Sequence, residues 1–487
     1  MVIQNNRIVS SFNPRLLFSC SLIALSQVNF GMDQGAFSNT QAMGVFTQKF
    51  GEYNPDTDAY ALNPTYLSLL NSLPYIGFAV GLACGGFVSR RFGRRMSMFV
   101  MCLWALVGAT ILVTAQSKAQ MLAGRIVAYV YIGMELAVVP VFQSEIVPAQ
   151  VRGFVVGTYQ AGLLVGQLLM SIICRGTSDL KGDASWKIPL GLLYIIPSIV
   201  ACSVWFMPES PRLLMLNSQP EKAQQALQSL RRGRFSAEQI EHEFQQLQNA
   251  LAATKTPEND WQIKEIFQGW NLQRTMITIG TNVFMQLTGQ NFVSHYGPIF
   301  IQSLGAVNPF SMSCINSGIN IVVVLVTMGL VDRVGRVPLM LLGSLTQLTS
   351  RLIMGSLGTL STPSGTIKAV ITATVTVFGA GYSLGWAPLS HVVAAETPTS
   401  RLRDVTYTTG TLFNVVIQFG VSFAVPYLLY EPARLGSKVG FIFAGCALGA
   451  VLFTWFCVPE GRGRTLEEMD ELWERGVRVR DFRRRDL

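Results

Sequence analysis

Long apolar runs alternate with short polar connections over most of the chain. A helix rising 1.5 Å per residue needs about 20 apolar residues to cross a bilayer core about 30 Å thick. Runs of that length fall near 15–38, 66–89, 96–115, 121–143, 154–174, 188–207, 274–302, 309–331, 338–357, 367–395, 405–428 and 437–458. The pattern predicts an all-α integral membrane protein with about 12 transmembrane helices. One polar stretch, from about 209 to 272, interrupts the series. Ser236-Ala237-Glu238-Gln239 reads there as a capping box, followed by mixed polar and apolar residues through Leu251. The expected domains are an N-terminus at 1–14, a six-helix bundle at 15–207, a helical linker at 208–272, a second six-helix bundle at 273–458 and a tail at 459–487.

Composition sharpens this picture. Half of the 487 residues are hydrophobic and 13% are charged, too few charges to keep a soluble surface wet. The formal net charge of +9 comes from arginines bordering apolar runs, such as Arg90, Arg91, Arg94 and Arg95, and from the tail Arg478 to Arg485. That placement orients membrane helices and argues against nucleic-acid binding. Connections rich in arginine (Arg90 to Arg95, Arg152, Arg231 to Arg234, Arg333 and Arg336, Arg401 and Arg403) share one side, so both termini and the linker are expected in the cytoplasm. The first run follows Arg15 and lacks a small-residue cleavage site, which predicts a signal anchor. Cys20, Cys84, Cys102, Cys202, Cys446 and Cys457 lie inside apolar runs and no Cys-x-x-Cys pair occurs, so neither a disulfide framework nor a metal site is expected.

Three motifs recur at a spacing of about 240–250 residues, as a parallel duplication requires. Arg91-Phe92-Gly93-Arg94-Arg95 answers to Asp332-Arg333-Val334-Gly335-Arg336, and Ser144-Glu145…Arg152 answers to Ala395-Glu396…Arg401. Trp205-Phe206-Met207-Pro208-Glu209 answers to Trp455-Phe456-Cys457-Val458-Pro459-Glu460. The recurring arginines and glutamates suit a charge-assisted latch, with Arg91, Arg94, Glu145, Arg152, Arg333, Glu396 and Arg401 as its candidates. Gly289 in the seventh run, and Gly381, Gly385 and Pro388 in the tenth, should break their helices and serve as hinges. Gly77, Gly81 and Gly85 read as a close-packing stripe. Asp33 lies inside a membrane run, where a charge costs about 3 kcal/mol, and Arg125 is its candidate partner.

Over essentially its full length the chain resembles the sugar porter family of the major facilitator superfamily, in its fungal branch. Gly31-Met32-Asp33-Gln34-Gly35, Pro140-Val141-Phe142-Gln143-Ser144-Glu145 and Gln286-Leu287-Thr288-Gly289-Gln290-Asn291 carry the resemblance. So do Pro208-Glu209-Ser210-Pro211-Arg212 and Pro459-Glu460-Gly461-Arg462-Gly463-Arg464. The resemblance implies a major facilitator fold and a secondary transporter in which Asp33, paired with Arg125, takes up the coupled proton. It also implies a solute site of Gln160, Gln286, Asn291, Asn320, Trp386 and Asn414, where amides offer both donors and acceptors to hydroxyl groups.

Several positions depart from the family pattern. Met285 stands in place of a glutamine, His391 and Val415 in place of aromatics, and His295 in place of a tyrosine. Arg90 replaces an acid, while Tyr129 and Glu135 occupy small-residue positions. The implied partners are protons, the bilayer and a sugar, disaccharide or polyol, with no cofactor. Plasma-membrane uptake by symport is the leading expectation; a facilitator, an exporter of a non-sugar metabolite and a nutrient sensor are the alternatives. The short segment after Arg464 argues against the sensor, and no nucleophile, nucleotide loop or metal spacing points to an enzyme.

Overall fold

The computed structural model describes residues 12–54, 58–253, 264–360, 362–399, 401–464 and 466–483. Among the described residues the regular structure is helical apart from one hairpin. Helix α1 (Pro14–Thr40) is followed by α2 (Gly44–Phe50) and the antiparallel strands β1 (Glu52–Asn54) and β2 (Ala59–Ala61), with Tyr53 opposite Tyr60. Then come α3 (Pro64–Ser72), α4 (Pro74–Phe92), α5 (Arg94–Val113), α6 (Lys118–Ile146), α7 (Ala149–Thr177), α8 (Ala184–Leu192) and α9 (Ile195–Ser203). The linker carries α10 (Pro211–Leu216), α11 (Pro220–Arg231) and α12 (Ala237–Ala253). The rest is α13 (Gly269–Leu287), α14 (Gln290–Leu304), α15 (Pro309–Val334), α16 (Arg336–Leu357), α17 (Gly365–Leu384), α18 (Trp386–Glu396), α19 (Arg403–Leu429), α20 (Val439–Cys457) and α21 (Leu466–Glu474).

Among the described residues, ten spans are long and apolar enough to cross a membrane, from Pro14–Thr40 to Gly436–Cys457. The two other runs are the 29-residue α7 and the pair α13 and α14, which Gly289 divides. Together they make the expected all-α membrane architecture of about twelve crossings. The second, sixth and tenth crossings are also each built from two helices, meeting near Leu73, Leu193 and Gly385.

The chain divides into two compact units. One draws on Met1–Asp33, Leu73–Gln167 and Lys187–Glu258; the other on Gln34–Ser72, Leu168–Trp186 and Asn259–Leu487. In the first unit α4 and α6 touch backbone to backbone. A Cβ on Gly77 would fall 2.0 Å from the Ile126 carbonyl oxygen, and one on Gly81 2.1 Å from that of Val130. The glycine stripe is thus a packing surface, as small residues between membrane helices are. The linker helices enclose a small core of Ala223, Leu227 and Phe244. They are tied to the unit by Arg231, which donates to the Ile146 carbonyl at the end of α6 (2.8 Å) and pairs with Glu243.

In the second unit α3 lies on α19, with Ser68 Oγ donating to the Phe423 carbonyl at 2.7 Å. Leu67 joins Phe292, Tyr296, Phe300, Val425 and Phe443 in a common core. At the other end of the unit α21 packs on α13 through Ile277, Met469, Leu472 and Trp473, beside an Arg274–Asp470 ion pair.

Candidate functional site

Asp33 on α1 and Arg125 on α6 meet inside the first unit. Arg125 Nη1 donates to Asp33 Oδ1 at 3.1 Å, and the arginine and aspartate side chains are 1% and 5% exposed. Tyr129, one turn along α6, accepts from Arg125 Nη2 at 3.1 Å and lies under the guanidinium, 4.6 Å from ring centre to charge. Tyr75 packs edge-on against Tyr129. Tyr129, expected as a departure from the family pattern, thus covers the guanidinium of the ion pair. Low dielectric strengthens this attraction and raises the cost of losing either partner.

The amide residues fall into two groups. Gln160, half-buried on α7, belongs to the first unit. Gln286, Asn291, Asn320, Trp386 and Asn414 belong to the second. Gln286 Nε2 donates to Asn414 Oδ1 (3.2 Å), and Asn414 Nδ2 donates to the Asn282 carbonyl (3.1 Å), which joins α13 to α19. Asn291 continues the seam by donating to Ser422 Oγ (2.8 Å) and the Gln418 carbonyl (3.1 Å). Among the described residues, Gln286 Oε1 and Asn320 Oδ1 find no partner and remain buried acceptors. Such atoms can accept from a hydroxyl-bearing ligand.

Trp386 is fully buried in a core of Val337, Leu339, Phe378 and Leu389, and its Nε1 donates to Ser344 Oγ at 2.8 Å. In this conformation its ring packs against protein on every side. The departing residues sit close by: Ser390 Oγ donates to Met285 Sδ (3.2 Å), and His391 Nδ1 lies 3.2 Å from Tyr407 Oη. Val415 is buried on α19, while His391 is exposed on α18.

Helix breaks stand at both places where glycine was expected to cause them. Gly289 has φ +95°, and α13 ends as α14 begins around it. Gly385 separates α17 from α18, with Pro388 in the first turn of α18 and Gly381 still inside α17. The break at Gly289 reveals a residue that the sequence pattern passed over. Arg351 on α16 is 1% exposed, donates through Nη2 to the Gly289 carbonyl (3.3 Å), and has no ion-pair partner among the described residues. Phe378, Phe292 and Phe443 surround its guanidinium at 3.8, 4.9 and 5.3 Å. A buried cation is costly; three ring faces and the carbonyl at a helix C-terminal end offset that cost. A lone arginine within an apolar run was its only sequence signal.

The arginine-rich ends of the helices form the same cluster twice. In the first unit Arg94 binds Glu145 through two parallel bonds of 3.0 Å, and Glu209 accepts from the backbone N–H of Arg94 and Arg95 at 3.1 and 3.2 Å. In the second, Arg336 binds Glu396 at 3.3 and 2.9 Å, and Glu460 accepts from the N–H of Arg336 and Val337 at 3.0 and 2.9 Å. Gly93 and Gly335 make the turn at φ +103° and +107°. A Cβ on Gly93 would lie 2.4 Å from Glu209 Oε2, so glycine is required by both angle and space. Burial raises the pKa of Glu209, and the N–H groups of Ser210, Arg95 and Arg94 oppose that rise.

Of the expected latch residues, Arg94, Glu145 and Glu396 occupy these clusters. The arginine that reaches Glu396 is Arg336; Arg333 and Arg91 are exposed. Arg401 pairs instead with Glu265, and the Arg152 side chain lies outside the described residues. Glu209 and Glu460 carried the family motif without being read as ligands. Their capping role depends on a fold that brings residue 209 to residue 94.

Membrane helices with buried ion pairs, paired amides, broken crossings and a duplicated charge cluster define a polytopic membrane protein. Residues 19–473 match the model of the sugar (and other) transporter family, and the chain belongs to that family. It is 28% identical to the high glucose sensor RGT2 of Saccharomyces cerevisiae, over 93% of this chain and 60% of that one. It is also 28% identical to the high-affinity glucose transporter ght2 of Schizosaccharomyces pombe, over 91% of this chain and 84% of that one. A solved structure of the proton:xylose symporter XylE bound to 6-bromo-6-deoxy-D-glucose has the same fold. Its TM-score is 0.73 at 22% identity, covering 94% of this chain and 99% of that one.

Proposed function

We propose that the protein is a proton-coupled secondary transporter that moves a sugar or sugar-like polar solute by alternating access. The buried Asp33–Arg125 pair carries the proposal, because a carboxylate held in a dry membrane interior by one arginine responds directly to a proton. Protonation of Asp33 removes its charge, weakens its hold on Arg125 and frees α1 and α6 to change their packing. XylE, a proton:xylose symporter of the same fold, supports the same reading.

Gln160, Gln286, Asn291, Asn320, Trp386 and Asn414 are the proposed solute-binding side chains, with Gly289, Gly385 and Pro388 as hinges. The two six-helix bundles, 15–207 and 273–458, are the proposed moving bodies. The Arg94–Glu145 and Arg336–Glu396 pairs are the proposed latches of the arginine-rich face. Under the positive-inside rule that face, the linker and both termini are cytoplasmic, and uptake occurs across the plasma membrane.

Uptake of a panel of labelled sugars at two external pH values, in cells lacking their own sugar transporters, tests this reading. Solute should accumulate at acid external pH, and Asp33→Asn should abolish the accumulation. A sensor reading is supported by the likeness to RGT2. It predicts surface protein with no uptake of any sugar in the panel.

A further inference from the structure

Between α1 and α6 lies a carboxyl group that the Asp33–Arg125 pair does not use. Glu135 follows Arg125 by ten residues, about 15 Å along α6. Its side chain is fully buried, and among the described residues neither carboxyl oxygen has a partner at full hydrogen-bond geometry. The hydroxyls of Tyr131 and Ser26 face it, and Asn29 lies beside Tyr131. Tyr131 Oη spends its proton on the Ser26 carbonyl (3.1 Å), leaving Ser26 Oγ and Asn29 Oδ1 buried and unpartnered as well. Three neighbouring residues therefore hold unused polar atoms at one depth, where more than nine in ten buried polar groups are ordinarily satisfied.

The other elements packed here bring no compensating charge. Tyr131 on α6 and Cys102 on α5 are the titratable groups facing Glu135, and α4 meets this stretch of α6 through Gly81 and Gly85. Along α1 the residues Ser26, Asn29 and Asp33 share one helical face. Gln27 then donates to Gln143 at 3.1 Å, and Arg94 with Glu145 ends the series. From Arg125 to Glu145 this polar seam runs about 30 Å, the thickness of a bilayer core.

We propose that Glu135 is a second proton-carrying residue of the transport cycle, placed to receive the proton that Asp33 releases. The inference rests on the proton-symport reading above. Among the described residues an ionised Glu135 has no cation to pair with, whereas its neutral acid can donate to the facing Ser26 Oγ. In the transfer step the O–H bond of Asp33 breaks and the carboxylate re-forms its pair with Arg125. An O–H bond forms on Glu135, which has already lost its own proton to solvent on the arginine-rich side, past Gln27 and Gln143. One proton moves, its last step through the Ser26 hydroxyl that faces Glu135, and no electrons are exchanged.

The test uses the full-length protein in proteoliposomes, with the labelled sugar of highest rate in the uptake panel. Glu135→Gln should lower accumulation driven by a pH gradient about tenfold while lowering counterflow at equal pH far less, and Glu135→Asp should restore much of the accumulation. The infrared band of a buried protonated carboxyl should disappear in Glu135→Gln. Unchanged accumulation in Glu135→Gln, alongside its loss in Asp33→Asn, would overturn this inference and leave the symport reading standing. Parent protein that ignores the pH gradient would sink both. Equal loss of counterflow and accumulation, with an unchanged infrared spectrum, would make Glu135 structural.

Discussion

Asp33 and Arg125 are each expensive to bury alone and tolerable together. Removing one partner of such a pair leaves the other uncompensated, at a cost of about 3–5 kcal/mol. Arg125→Ala should therefore lower thermal stability in detergent as well as transport, and Asp33→Asn should do so less, because the amide still accepts a hydrogen bond. A melting curve for each variant checks the order. At the proposed solute site, Gln286→Ala should raise the half-saturation concentration about tenfold, near the 1.4 kcal/mol of one buried hydrogen bond, without reducing surface expression. Unchanged kinetics would remove Gln286 from the site. Asp33 was legible in the sequence because an acid within an apolar run stands out. Tyr129 was noted only as a departure. Its contact with Arg125 depends on which faces of α1 and α6 meet, and periodicity alone does not give that.

Helices were legible wherever apolar length decided them. The glycine stripe on α4 and the breaks at Gly289 and Gly385 followed from steric rules that hold in any context. The divisions near Leu73 and Leu193 were not read, although Pro74 at the start of α4 marks the first of them. Arg351 was hidden for a different reason: its stabilisation comes from Phe292, Phe378 and Phe443 on three other helices. Arg351→Met should keep or raise stability, because a well-packed apolar replacement avoids burying charge. It should slow transport, because the Gly289 carbonyl loses its donor and the break its fixed geometry. Melting temperature and uptake rate measured on the same variant separate the two effects. At the arginine-rich end, Gly93→Ala should cost about 1–3 kcal/mol by forcing a side chain into a left-handed turn occupied by Glu209. Gly335→Ala should behave alike, as the duplicated cluster requires.

On the scale of the whole molecule, the duplication gives the chain two copies of one charge cluster and one copy of each asymmetric device. The Asp33–Arg125 pair belongs to the first unit; the Gln286–Asn414 seam and the Arg351 cage belong to the second. That division separates the proposed proton chemistry from most of the proposed solute chemistry, so coupling has to pass through motion of the helices. On the resemblance drawn from the sequence, Met285, His391 and Val415 stand where the family carries other residues at the proposed solute site. A sugar panel that includes disaccharides and polyols is therefore the appropriate probe of substrate.

The most direct measurement is accumulation of the best panel sugar by cells held at acid and at neutral external pH, for the parent protein and for Asp33→Asn. The account predicts uphill accumulation that grows with the inward proton gradient in the parent, and mere equilibration in the variant. Accumulation that is independent of the gradient in the parent, or intact in Asp33→Asn, would contradict it.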